Sequence, residues 1–200
     1  MIDYKDEIYK LKEKCYTCKK CPLGQLVDGE NPHVFANGRV PAEIMAIAEA
    51  PGRDEVLKKI PLIGRSGQFY NDKILVGAGL TREEVYTTNT CHCRPPNNRN
   101  PFHGEIELCK EFLDAEICLN EPKLIITLGN IPLYGVCETM GITKKRGVII
   151  QSRVWSNNKT YNVFPMLHPS YCLRNKGIEE MEEDIQKLAE IIKNIKQKIC

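Results

Sequence analysis

Four short apolar runs, each stopped by a polar or turn-forming residue, constrain this chain more than any other feature. Ile44-Met45-Ala46-Ile47-Ala48 breaks into Glu49-Ala50-Pro51-Gly52, and Val85-Tyr86-Thr87-Thr88 ends at Asn89. Leu124-Ile125-Ile126-Thr127-Leu128 ends at Gly129-Asn130, and Val163-Phe164-Pro165-Met166-Leu167 at His168-Pro169-Ser170. Runs of this length, bounded by breakers, read as strands buried on both faces. Stretches with helical spacing lie between them, so the alternation predicts a parallel sheet covered by helices. The expected fold class is α/β: a three-layer α/β/α sandwich with a central, mainly parallel four-stranded sheet. Ligands of such sheets sit outside the carboxyl ends of the strands. Glu49, Asn89, Asn130 and His168 then fall along one edge, which is the candidate active site.

The length of 200 residues suits one domain spanning 1–200, with room for a sizeable core. An amphipathic helix is expected over residues 1–14, with Tyr4, Ile8 and Leu11 on one face and Cys15 continuing the spacing. Residues 24–42, rich in Gly, Asn and Pro, read as a long loop. Residues 53–67 read as a second loop, placed to wall or cover a pocket. A helix is expected from Gln68 to Gly77, and Thr81-Arg82-Glu83-Glu84 fits a capping box with space for one turn. Cys91 to Pro101 is a breaker-rich loop. A helix over about 103–119 puts Ile106, Cys109, Leu113 and Glu116/Ile117 on one face, and a short helix follows at about 131–139. Arg146 to Pro165 reads as an extended arm that turns at Ser156-Asn157-Asn158 into the last strand. The closing helix starts at Ile178, with apolar positions 178, 181, 185, 188, 192, 195 and 199. Acidic residues crowd its first turns and lysines its last, as the helix dipole favours.

The formal charge of +2 is too small to announce a nucleic-acid partner, so any such contact must rest on local patches. The chain shows no secretory leader pattern and no apolar run of membrane-spanning length, so an intracellular, cytoplasmic location is expected. Ten cysteines are therefore the anomaly, because structural disulfides are rare in a reducing compartment. Metal ligation explains them better. Cys15-Tyr16-Thr17-Cys18-Lys19-Lys20-Cys21-Pro22 holds two overlapping CxxC pairs, so either Cys15 and Cys18 or Cys18 and Cys21 supply two thiolates. The distant pair is Cys93 and Cys109. Four thiolates suit tetrahedral zinc or an iron–sulfur cluster. A single CxxC region with ligands from separate elements favours the cluster. Cys118, Cys137, Cys172 and Cys200 lack partner spacing.

Taken together, an ordered set of motifs resembles the iron–sulfur uracil-DNA glycosylases of family 4. The set comprises Cys18-x-x-Cys21-Pro22-Leu23, Glu49-Ala50-Pro51-Gly52, Pro61-Leu62-Ile63-Gly64-Arg65-Ser66-Gly67 and Val85-Tyr86-Thr87-Thr88-Asn89. It continues with Cys93-Arg94-Pro95-Pro96-Asn97-Asn98-Arg99, Cys109, Thr127-Leu128-Gly129 and His168-Pro169-Ser170-Tyr171-Cys172-Leu173-Arg174-Asn175. What the resemblance implies is a monomer that acts on uracil-containing DNA, single- or double-stranded, without a membrane. It would hydrolyse the N-glycosidic bond of deoxyuridine and leave an abasic site. A [4Fe–4S] cluster would be held by Cys18, Cys21, Cys93 and Cys109.

The implied roles are chemically sensible. A base inside a duplex is unreachable, so it must be flipped into a pocket. The Asn89 amide offers one acceptor and one donor, which match uracil's N3–H and O4 and oppose cytosine. His168 would donate to uracil O2 as negative charge builds there, in the manner of an oxyanion hole. Glu49 would lie against the base and the attacking water. Ala50 and Gly52 would line the base site, and Glu55 would obstruct a thymine methyl. Arg94, Arg99, Arg174, Lys144 and Lys145, with Arg146 and Lys176, would follow phosphates. Ser170 and Tyr171 would belong to the loop that wedges the duplex. Leu62 stands where the family carries a Phe that stacks on the flipped uracil, and Ala48 where it generally has Gly. The basic insert of the covalent uracil-trapping relatives is not evident. Two rivals share the fold: a catalytically weak iron–sulfur DNA-binding protein, and a glycosylase shifted toward hypoxanthine or xanthine. A zinc-stabilised protein of unrelated function is the third.

Overall fold

The computed structural model describes residues 4–25 and 31–197. Helix α1 (Tyr4–Tyr16) leads through the cysteine run and a 3-10 turn at Pro22–Gly24 toward strand β1 (Ile44–Ala48). Then come α2 (Arg53–Lys58), α3 (Arg65–Phe69, continued by a π-helical turn over Tyr70–Leu75), β2 (Val85–Asn89) and α4 (His103–Asn120). Strand β3 (Leu124–Leu128), α5 (Asn130–Cys137), α6 (Ile142–Lys145) and β4 (Ile150–Gln151) follow. The described chain closes with β5 (Asn162–Met166), α7 (Pro169–Cys172) and α8 (Ile178–Gln197).

The sheet runs β2-β1-β3-β5-β4. Its first four strands are parallel, in the register Ala48↔Asn89 on one side of β1 and Ile47↔Thr127 on the other. Strand β5 is parallel to β3, with Leu128 opposite Met166. The four carboxyl ends therefore do share one edge. The expected four-stranded sheet needs one correction: the arm before β5 contributes a short fifth strand, β4, antiparallel to β5. With only two residues in it, no alternation in the sequence could announce it.

Three layers follow from the pleat. Ile44, Ala46 and Ala48 of β1 face Tyr70, Ile74 and Leu75 of α3 and Leu188 and Ile192 of α8. Met45 and Ile47 face Leu113 and Ile117 of α4 and Val136 of α5. All five residues of β1 are buried, as are those of β2 and β3, which is why these strands read as unbroken apolar runs. Enclosing a side chain of Ile or Leu size contributes about 1.5–3 kcal/mol. Helix α8 buries Met181, Leu188 and Ile192 on the expected stripe, while Ile199 lies outside the described residues.

Two loop expectations are also corrected. Residues 53–67 contain α2 and the start of α3, so the helix expected from Gln68 begins at Arg65. Gly52 and Gly64 occupy the N-cap positions, where no Ser, Thr, Asp or Asn flags a helix start. The described part of the 24–42 loop is also less free than its composition implies. Asn37 pairs with Thr87 and His33 with Cys93, which covers the outer edge of β2.

Candidate active site

The carboxyl edge of the sheet opens into a cleft of about 820 Å³. Glu49, Ala50 and Gly52 enter it from the turn after β1, Glu55 from α2, and Leu62 from the α2–α3 loop. His168, Ser170, Tyr171 and Arg174 close the opposite side, and Arg99 reaches it from the loop after β2. Asn89 does not line the cleft surface. It is buried at the end of β2, opposite Ala48, which does line it. Among the described residues its amide Nδ2 has no hydrogen-bond partner. A buried amide donor left open is costly, about 1–3 kcal/mol, unless something supplies an acceptor.

His168 is the N-cap of α7. The Ser170 backbone N–H donates to Nδ1 at 3.1 Å, and Ser170 Oγ lies 2.8 Å from the same nitrogen. Nδ1 therefore accepts, and in the neutral imidazole the proton sits on Nε2. Burial, with Arg174 adding to it, pushes His168 down to about 4, so the ring is neutral across the physiological range. Gly129, at φ +103°, brings the backbone after β3 against this histidine; a Cβ there would lie 3.2 Å from that of His168. Glu49 is half-buried, and burial alone raises its carboxyl above the ordinary range. Among the described residues its carboxylate has no charged or hydrogen-bonded partner.

The wall that carries Leu62 is braced from behind. Glu55 accepts from Gly52 N–H at 2.6 Å and from Ile63 N–H at 3.2 Å, so both its oxygens hold backbone. Arg82 donates to the carbonyls of Pro61 and Leu62 and to Asn71 Oδ1. Leu62 itself takes a left-handed conformation, φ +52°. Gly67 is required beside it, because a Cβ there would fall 2.0 Å from the Leu62 carbonyl carbon. Leu62 is buried and belongs to the core cluster as well as to the cleft wall. Asn130 lines the cleft, but its Oδ1 accepts from the backbone of Gly141 and Ile142 and so holds the turn into α6.

The positive side chains divide. Arg174 is exposed at the cleft mouth. Lys144 and Lys145 end α6 on the rim, next to Thr143, which lines the cleft. Arg99 is already committed: it makes a two-pronged pair with Glu105 at 2.7 and 2.8 Å and lies over the Phe102 ring. Arg94 donates to Asn98.

Beside the cleft lies a cysteine corner. Cys18 and Cys21 after α1, Cys93 after β2 and Cys109 of α4 line one small cavity with Cys15, His33 and His92. Each of these four thiols lies close enough to feel others of the set, and Cys15 stands behind them in the apolar cluster with Phe35 and Phe112. Among the described residues no three Cys, His, Asp or Glu side chains stand in metal-ligating geometry. The chemistry of the donor set nevertheless fits a soft metal centre: sulfur from three separate segments lines one cavity. His33 links the corner to the cleft wall. Its Nε2 meets the Cys18 carbonyl at 2.9 Å, and Lys59 at the end of α2 donates to the His33 carbonyl at 3.2 Å.

One further group stands behind the corner. The spacing puts Glu116 on the apolar face of α4, and an acid on a buried face is the signal. It is fully buried, where it meets Tyr86, Thr88 and His92. Burial pushes His92 down, but the Glu116 carboxylate and the Cys109 sulfur outweigh it and hold the ring at about 10. Of the remaining cysteines, Cys118 contacts Ser156 and Cys172 donates to the Gly177 carbonyl. Cys200 lies outside the described residues.

Comparison with known proteins identifies the family. The family model described as the uracil DNA glycosylase superfamily matches residues 35–197. The type-4 uracil-DNA glycosylase of Sulfurisphaera tokodaii is 38% identical over 93% of this chain and 85% of its own length. The enzymes of the same name from Archaeoglobus fulgidus and Thermotoga maritima are 34% and 35% identical. They cover 88% and 92% of this chain, and 88% and 93% of their own lengths. No helix among the described residues is long and apolar enough to cross a membrane.

Proposed function

Because the chain belongs to the type-4 uracil-DNA glycosylases of the uracil-DNA glycosylase superfamily, we propose that its cleft receives a flipped deoxyuridine and releases the base by hydrolysis. The observation that carries this reading is the open Asn89 amide at a buried strand end. Uracil O4 supplies the acceptor that Nδ2 lacks, and the amide oxygen takes N3–H. Cytosine would oppose both bonds, at about 1–3 kcal/mol for each group left unpaired.

As the glycosidic bond stretches, charge gathers on uracil O2. His168 meets it with Nε2–H, aimed by the Ser170 contacts to Nδ1. The sugar carbon becomes cationic in the same step. Glu49, unpaired in the cleft, stabilises that charge and positions the water that attacks it. Ala50 follows Glu49 where an acid would be needed for a strong general base, so leaving-group stabilisation carries most of the rate. Arg174, Lys144 and Lys145 hold phosphates of the strand, single or double, and Tyr171 stands in the loop that fills the vacated stack. The names of the relatives favour uracil over hypoxanthine or xanthine, and an enzyme over a silent binder.

Cys18, Cys21, Cys93 and Cys109 would hold a [4Fe–4S] cluster. Its contribution here is cross-linking: it ties the segment after α1 to the β2–α4 loop and to α4. The chain works as a monomer inside the cell.

The test uses an end-labelled oligonucleotide with one deoxyuridine, cleaved by alkali after incubation with the purified protein. Wild type should cut at the uracil position, and Asn89→Ala and His168→Ala should cut far more slowly at matched concentration. Folded, DNA-binding wild type that leaves the uracil strand intact would sink the assignment.

A further inference from the structure

Behind the cysteine corner stands a buried acid that excision does not use. Glu116 accepts from the Thr88 hydroxyl at 2.9 and 3.1 Å and from the Tyr86 hydroxyl at 3.2 Å. Its remaining neighbour is His92 Nε2, at 3.2 Å. The His92 ring is fully enclosed, with Phe35 and Phe112 centroids at 5.8 and 5.7 Å. With Nε2 turned to the carboxylate, Nδ1 faces Cys109 Sγ at 3.4 Å. The His92 backbone N–H meets the same sulfur at 3.4 Å.

An ionisable pair this deep costs several kcal/mol in lost hydration, and an apolar pair of the same volume would fill the space at less cost. Its geometry has a direction that packing alone does not require. Two hydroxyls fix the carboxylate, the carboxylate fixes the ring, and the ring and its own amide converge on one sulfur.

We propose that Glu116 and His92 are a positioning pair for Cys109, giving this one ligand thiolate of the cluster two N–H donors. The inference rests on the cluster reading above. Such bonds draw charge from the sulfur, hold the ligand in place and raise the cluster's reduction potential. The same carboxylate holds Thr88, the residue before Asn89. One hydrogen-bonded chain thus joins the Cys109 sulfur to the strand end that reads the base.

The experiment compares wild type with Glu116→Gln and His92→Leu, each assayed for iron and inorganic sulfide. Resonance Raman reads the iron–thiolate stretching bands, and loss of the cluster's visible absorption to an iron chelator gives its lifetime. Both variants should shift the bands and lose the cluster faster, roughly 10-fold or more for His92→Leu. His92→Asn, whose amide nitrogen can take the place of Nδ1, should restore the wild-type band. A variant that folds by circular dichroism but retains no cluster is the extreme of the expected loss. Identical bands and lifetimes in cluster-loaded Glu116→Gln and His92→Leu overturn the pair. Should neither fold, Thr88→Val removes one hydroxyl from Glu116, and an unshifted band there overturns it equally. Wild type that contains no iron overturns the cluster reading instead, which keeps the two failures apart.

Discussion

The cleft and the cysteine corner flank the same strand, β2, and are finished in opposite ways. At the corner the buried polar side chains find partners within the protein: His33, His92, Thr88 and Glu116 are all engaged. At the cleft, among the described residues, Asn89 Nδ2 is open, Glu49 is unpaired, and His168 is bonded through Nδ1 alone. The two regions teach how to tell support from chemistry. A network closed on itself sets shape, whereas one with an open end states which atoms a ligand must bring.

The largest test of that distinction is to remove the open ends. His168→Ala should lower kcat by about 10²–10³, the usual loss for one pre-aimed donor to a developing oxyanion. Asn89→Ala should lower kcat/KM by roughly 10–100-fold, with discrimination against cytosine falling alongside. Both variants should melt close to wild type by circular dichroism. If their activity falls only in step with stability, the cleft is a packed surface like the corner and the contrast fails.

Acid gives the next effect, read as stability. His168 falls from its ordinary 6.5 to about 4 in the folded chain. The unfolded chain therefore binds the proton first, so stability is full above about pH 6.5 and declines as pH falls toward 4. Below that it stays low. The loss amounts to up to about 3 kcal/mol. Urea unfolding of wild type and His168→Ala across this window should show a shallower slope in the variant, and equal slopes would contradict the neutral imidazole.

A smaller effect separates the cleft's wall from its chemistry. Arg82→Met removes the clamp on the Pro61 and Leu62 carbonyls without touching the base site. It should raise KM by about tenfold, worth about 1.4 kcal/mol, with little change in kcat. A fall in kcat alone would place Arg82 among the reacting groups. The smallest effect belongs to the rim. Lys144→Ala and Lys145→Ala should each reduce the slope of log K against log salt by about 0.7–0.9 if they meet one phosphate each, as DNA binding titrated between two salt concentrations would show. Arg99→Gln should leave that slope nearly unchanged, because Glu105 already holds the guanidinium.

The legible parts of this fold were those where burial is uniform. Strands β1, β2 and β3 stand at their expected positions because every residue in them is enclosed, and the place of Asn89 and His168 at the sheet's carboxyl edge is legible from the strand ends they mark. Helix α2 was missed because Arg53-Asp54-Glu55 follows Pro51-Gly52, and a glycine cap looks the same as a turn. Glu55 illustrates a second limit. Its position near the cleft was legible, but its commitment to two backbone amides depends on the fold of Ile63, eight residues away. Arg99 reads as a phosphate contact in the sequence, and only the folded chain shows its pairing with Glu105. The Glu116–His92 contact joins two elements whose apposition no local pattern encodes.

The cysteine corner also fixes a timetable. Cys18 and Cys21 leave the ribosome early, but Cys93 and Cys109 follow only after β1, α2, α3 and β2 have been made. Helix α1 has its packing partner, α4, at the same late moment. The amino-terminal segment must therefore wait with its thiols unmatched while the middle of the domain emerges, since domains fold as synthesis supplies their parts. With the proposed cluster in the corner, a shortage of iron during synthesis would leave that segment undocked in a chain whose sheet is otherwise complete.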